Sequence, residues 1–106
     1  MICYTVRCEF SKAAEPSLAS DWVRWLRTKH MQDVMDAGAI RAELVFMDGE
    51  NLTYEVRYRF ASRELFNRYE SDYAPRLREE GLKRFPLELG LSFSRTVGTV
   101  LGEHGS

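Results

Sequence analysis

At 106 residues, 44% hydrophobic and 29% charged, the chain has the composition of one ordinary globular domain with room for a single core. Fifteen Lys and Arg against sixteen Asp and Glu leave a formal net charge of −1, without the basic excess of a dedicated nucleic-acid binder. No apolar run approaches the ~20 residues that span a bilayer, and Arg7 and Glu9 follow the start too closely for a secretory signal. The expected setting is therefore the cytoplasm, with no membrane or nucleic-acid partner.

Met1 to Phe10 alternates. Ile2, Tyr4, Val6, Cys8 and Phe10 share one face and Thr5, Arg7 and Glu9 the other, as in a half-buried strand. Cys3 and Cys8 lie five residues apart in this run, so their Cα atoms are ~16 Å apart at ~3.3 Å per residue. A disulfide needs ~7 Å or less, so two free thiols are expected. No further cysteine completes a zinc set, and His30 and His104 have no ligand partners at recognisable spacing. Ser11 to Ser17 reads as a polar loop, and Ser17 or Ser20 can cap the helix that follows.

That helix carries the most chemically suggestive residue of the chain. At ~100° per residue, Val23, Leu26, His30, Val34 and Ala37 form one core-facing stripe, with His30 where a structural helix normally places Leu. Trp22 and Trp25 flank its first half. They stand ~60° apart on the wheel, so at least one is expected at the rim of the core. Gly38 stands where a left-handed terminating residue belongs.

Ala39 to Met47 alternates again, with Ile40, Ala42, Leu44 and Phe46 opposite Arg41, Glu43 and Val45. Leu52 to Ala61 follows, with Leu52, Tyr54, Val56, Tyr58 and Phe60 inward and Glu55, Arg57 and Arg59 outward. A two-residue turn at Asp48-Gly49 would pair Leu44 with Thr53 and mix the faces. The connection must therefore hold an odd number of residues or a bulge. Ser62 can cap a second helix carrying Leu65, Phe66, Tyr69, Tyr73 and Leu77, with a kink or a break near Ala74 and Pro75 opening its second segment. Arg76 to Arg84 reads as a solvated, charge-rich face ended by Phe85-Pro86.

Leu87 to Leu101 completes the pattern as a strand, with Leu87, Leu89, Leu91, Phe93 and Val97 on one face and Gly90, Ser92, Ser94 and Thr96 on the other. Arg95 shares the inward parity, so it lies either beyond the helical cover or buried beside a carboxylate. Residues 102–106, which include His104, read as a flexible tail.

Strand, helix, strand, strand, helix, strand defines an α+β, ferredoxin-like βαββαβ sandwich over residues 1–101. Its four-stranded antiparallel sheet has the order 4-1-3-2, with two helices on one face. The charges of the other face read as a cross-strand salt ladder, and that face lacks the central aromatics of the RNA-recognition module of the same topology. An uncovered sheet face and the small residues of the last strand point to a homodimer.

Trp22-x-x-Trp25-x-x-x-x-His30, then Val34-Met35 and Gly38, Tyr54 and Tyr58, and Tyr69 with Ala74-Pro75, resembles a family of roughly hundred-residue bacterial proteins classed only as a domain of unknown function. The resemblance runs from Met1 to about Leu101. Members often carry Ile-Pro directly after the histidine, where this chain has Met31-Gln32. In architecture the family is similar to the dimeric α+β barrel superfamily. That likeness implies paired sheets and a range that includes cofactor-independent monooxygenases, isomerases, haem-degrading enzymes and proteins of no known activity.

The candidate pocket residues are His30, Trp22, Trp25, Tyr4, Tyr54, Tyr58 and Tyr69. His30 is read first as a core histidine bonded to a tyrosine hydroxyl or a backbone carbonyl, since buried polar groups find partners. The competing reading makes it a polar contact, general base or haem ligand in an aromatic-lined pocket. The function expected is a non-catalytic small-ligand-binding or regulatory module, taking a small aromatic ligand and needing no cofactor. The alternatives are a cofactor-free monooxygenase- or isomerase-like enzyme with His30 as acid/base, and a haem-binding protein.

Overall fold

The computed structural model describes residues 1–105. Its strands are β1 (Ile2–Phe10), β2 (Arg41–Met47), β3 (Leu52–Phe60) and β4 (Leu91–Thr99). All pair antiparallel in the order β2-β3-β1-β4, which is the expected 4-1-3-2 read from the opposite edge. The hairpin obeys the parity argument. Met47 pairs with Thr53, five residues (48–52) lie between them, and Leu44 therefore meets Val56 on the same face.

The first crossover is one helical rod in three parts: α1 (Leu18–Trp25), a π-helical turn (Leu26–His30) and α2 (Met31–Asp36). In the wider turn the Met31 N–H donates to the Leu26 carbonyl, while the Thr28 hydroxyl donates to the Arg24 carbonyl at 2.7 Å and competes with the ordinary ladder. Steps of four drift ~40° each around a regular α-helix. The extra residue of the π turn absorbs that drift, so Trp22, Leu26, His30 and Val34 all face the sheet. Trp22 is buried, and Val23, placed on the stripe by a regular helix, is only half-buried.

Ser17 occupies the N-cap position but its side chain makes no capping bond, and Ser20 Oγ donates to the Ser17 carbonyl instead. Neither serine caps as expected. At the other end Gly38 adopts φ +124°, a region open to glycine, and the chain closes with Ala39 N–H donating to the Val34 carbonyl at 3.2 Å.

The second crossover breaks where Pro75 requires it. Helix α3 (Arg63–Asp72) begins with the Ser62 side chain accepting from the Leu65 N–H, and α4 (Ala74–Arg84) restarts with Pro75 in its first turn. Both crossovers cover the inward face. Phe60 meets Phe66 and Tyr69 at centroid distances of 5.3 and 5.1 Å, and Trp22 meets Phe10 at 5.5 Å.

The last strand is shorter than the alternation implies. Leu87–Leu89 forms a 3₁₀ turn, and Leu87 and Leu89 are about half exposed (50% and 46%). The reason is the absence of a partner: β1 ends at Phe10, which pairs with Leu91, so no strand exists beside residues 87–90. Ile40, Phe46 and Leu52 have the inward parity but lie exposed toward the β2 edge and the hairpin. On the uncovered face Glu55 takes Arg7 at 3.1 Å and Arg57 at 2.9 Å, and Glu43 takes Arg57 at 3.8 Å and Arg41 at 3.9 Å, which is the salt ladder expected. Residues 102–105 have no regular structure, although Glu103 reaches Arg59 at 3.4 Å, and Ser106 of the expected tail lies outside the described residues. No helix of the described chain is long and apolar enough to cross a membrane.

Candidate functional site

A cavity of about 320 Å³ lies between the helical layer and the sheet. Sheet register builds its floor. Val6 of β1 pairs with Val56 of β3 on one side and Arg95 of β4 on the other, and the next inward row carries Tyr4 and Tyr58. Val6 and Phe93, inward by parity, remain half-buried where they meet this space. One wall is Trp22, Trp25, Leu26 and His30, and the other is Tyr69, Leu77, Arg78 and Gly81. Exposed Leu82, Leu87 and Arg95 mark the mouth.

Six of the seven residues singled out in the sequence therefore converge on one space: His30, Trp22, Trp25, Tyr4, Tyr58 and Tyr69. Tyr54 does not line it. Its ring packs against Phe10 (5.9 Å), Trp22 (5.8 Å) and Phe46 (5.1 Å), one inward row beyond Val56 on β3, and closes that end of the core.

The tryptophans divide as their wheel positions require. Trp22 is core, while Trp25 is half-buried at the crevice. Trp25 stacks on the His30 ring with centroids 4.5 Å apart and planes at 21°, and meets Phe85 at 5.5 Å. It has room to do so because residue 81 is a glycine: a Cβ there would stand 3.2 Å from Trp25 Cη2.

His30 does not acquire the tyrosine or carbonyl partner expected of a core histidine. Its Nδ1 is buried with no hydrogen-bond partner among the described residues. Burial pushes its pKa down from 6.5 to about 4, against an opposing pull from the Asp33 carboxylate. The ring is neutral at pH 7, and with Nδ1 covered, Nε2 is the nitrogen through which it can meet a ligand. The Tyr58 and Tyr69 phenols are pushed upward, chiefly by burial, and stay protonated donors.

Arg78 was hidden in a run that reads as solvated. Its Nη2 donates to the Tyr4 hydroxyl at 3.0 Å and to Glu70 Oε1 at 2.7 Å, and its Nε is buried without a partner among the described residues. The only sequence signal for it is position, one residue after buried Leu77 and four after buried Ala74, from where a long side chain can reach inward. Arg95 resolves to the first of its two alternatives. It is exposed, rests over Phe93 at 5.8 Å, and makes no ion pair among the described residues. Among those residues, no three His, Cys, Asp or Glu side chains cluster as a metal site would require.

Sheet order and the two helical crossovers define a ferredoxin-like α+β protein with a cavity between its layers. Residues 1–99 match the model of a domain of unknown function, DUF4286, and the chain belongs to that family. It is similar over all of both chains to a dimeric ferredoxin-like protein from an uncultured marine organism, at 15% identity and a TM-score of 0.71. It is also similar to a variant of SnoaB, a cofactor-independent oxygenase from Streptomyces nogalater, at 10% identity and a TM-score of 0.67, covering 96% of this chain and 94% of that one. A variant of MhuD, solved with two manganese protoporphyrin IX molecules per active site, is similar over all of both chains at 14% identity and a TM-score of 0.65. At such identities these likenesses speak to the fold alone. No curated protein matches the chain.

Proposed function

We propose that this protein binds a small, largely aromatic molecule in the cavity beside His30, without transforming it. The observation that carries the reading is the cavity itself: about 320 Å³, open at one end, walled by Trp22, Trp25, Leu77 and Phe93, with few polar groups converging on it. Ligand sites have this character and run from ~300 to 1,000 Å³, so the volume suits a one- to three-ring molecule.

The chemistry of His30 favours binding over catalysis. A general base works best with a pKa near the operating pH and with a neighbour that orients its ring. His30 is pushed down to about 4 and Nδ1 has no such neighbour among the described residues. The same missing partner weighs against axial ligation of a haem, because ligating histidines nearly always donate their second nitrogen to an orienting group.

The test is titration of the protein with 2-naphthylmethanol, read by quenching of the two tryptophans and by the melting temperature. Saturable 1:1 binding with a rise in melting temperature and unchanged recovered ligand is expected. Leu87→Trp, which fills the exposed mouth, should abolish it. Absence of saturable binding, or binding indifferent to Leu87→Trp, refutes the reading, and turnover that disappears in His30→Gln replaces it with the enzyme.

The same protein is proposed to be a homodimer. The sheet face opposite the helices is uncovered, β4 offers Gly98, Ser94 and exposed Val97 at its edge, and the marine protein of the same fold is described as dimeric. Light scattering should give about twice 12.3 kDa at micromolar concentration, and a mass of one chain rejects it.

A further inference from the structure

We propose that the ligand of this cavity is an acid, an aromatic ring system carrying a carboxylate, and that Arg95 is the residue that selects it. This rests on the binding function proposed above and adds the chemical class of ligand.

The cavity lining contains two arginines and no aspartate or glutamate, in a chain whose acidic residues outnumber its basic ones. The two arginines differ. Arg78 is held by Glu70 at 2.7 Å, so its charge is already offset behind the wall. Arg95 stands at the mouth with its guanidinium over the Phe93 ring and no carboxylate within ion-pair distance among the described residues. On the opposite sheet face Arg7, Arg41 and Arg57 all have carboxylate partners, so the unpaired state of Arg95 is not general to this sheet.

The remaining polar groups agree in sign. The Tyr58 and Tyr69 hydroxyls remain protonated and so can donate, and the neutral His30 ring presents no charge. No anionic acceptor lines the space, so a ligand's cationic group would meet repulsion, while acceptor oxygens find donors. A planar guanidinium backed by an aromatic ring matches a carboxylate with two parallel N–H donors. The apolar body of such a ligand then lies between Trp25, Leu77 and Phe93, with its acid group toward the mouth.

The experiment compares 2-naphthoate with the neutral 2-naphthylmethanol on wild type, Arg95→Gln and Arg95→Lys, by tryptophan quenching and calorimetry in 20 mM and 300 mM NaCl. Arg95 is exposed, so the variants should keep the wild-type melting temperature, and this is checked first. A charge-assisted contact implies that wild type prefers naphthoate by about tenfold or more, and that Arg95→Gln removes this preference. Binding of the alcohol should be unchanged, Arg95→Lys should recover part of the preference, and salt should weaken it. Equal binding of acid and alcohol to wild type overturns acid selection while leaving the apolar site standing. Loss of both ligands in Arg95→Gln assigns Arg95 a steric role and also overturns the proposal. If neither compound binds wild type, the site reading falls with it.

Discussion

Lowering the pH should destabilise this protein through His30. The folded ring resists protonation down to about pH 4, whereas in the unfolded chain a histidine takes up its proton near 6.5. Between these values the unfolded state binds more protons, so stability falls as pH drops through that window and levels off below it. The contribution is fully present above pH 6.5. A shift of this size corresponds to a ceiling of ~3 kcal/mol, and access of water to a half-buried ring beside an open cavity reduces the realised part to ~1–2 kcal/mol. Glutamine at position 30 removes the titrating group and leaves every other charge in place. Urea unfolding followed by tryptophan fluorescence, at half-unit steps from pH 4 to 7.5, gives the difference in stability between wild type and His30→Gln. That difference should move by ~1–2 kcal/mol across the window, against wild type at the acid end. A difference independent of pH would show that the folded ring titrates as freely as the unfolded one, and the burial argument for His30 would be wrong.

Leu26→Ala removes a buried side chain that already borders the cavity, so its cost should fall at ~2–3 kcal/mol, the lower part of the range for core truncation, measured as a shift in denaturant midpoint. Gly90→Ala should cost ~1–3 kcal/mol by the same assay, because residue 90 has φ +113° and a Cβ would stand 3.0 Å from that of Ala14. Cys8 is fully buried and its thiol is pushed up to about 12 by burial and then by Glu9. Iodoacetamide at pH 8 should therefore label half-buried Cys3 alone, and Cys8 only after denaturation, as read by intact and peptide mass.

The strands were legible because alternation reports a sheet's two environments directly, and Val56, Tyr58 and Phe60 are buried where parity puts them. The odd hairpin connection followed from the same periodicity. Parity is silent on where a strand ends, however. Leu87 and Leu89 continue the alternation of β4, yet β1 turns away after Phe10 and leaves them without a partner. It is equally silent on position along a face, and so Tyr54 shares parity with Tyr58 but closes the core instead of lining the cavity. The π turn escaped for another reason. It coincides with the Thr28 hydroxyl bonding back to the Arg24 carbonyl, a local arrangement that a fixed angular period cannot represent. Arg78 escaped because composition averages over a helix face, and a run rich in both charges conceals one long side chain reaching Tyr4.

The two faces of the sheet handle charge in opposite ways. On the uncovered face, Glu43 and Glu55 alternate with Arg41, Arg7 and Arg57, so positive and negative groups neutralise one another. On the covered face, carboxylates are missing from the cavity lining, and the cation nearest the floor is compensated from outside by Glu70. Tyr4 joins the two systems. Its ring packs against Phe66 and Tyr69 at 5.3 and 6.0 Å, while its hydroxyl accepts from Arg78, so the aromatic core fixes where that guanidinium sits. With Arg78 held in this way, Arg95 is the one cation of the cavity lining that has no carboxylate partner among the described residues.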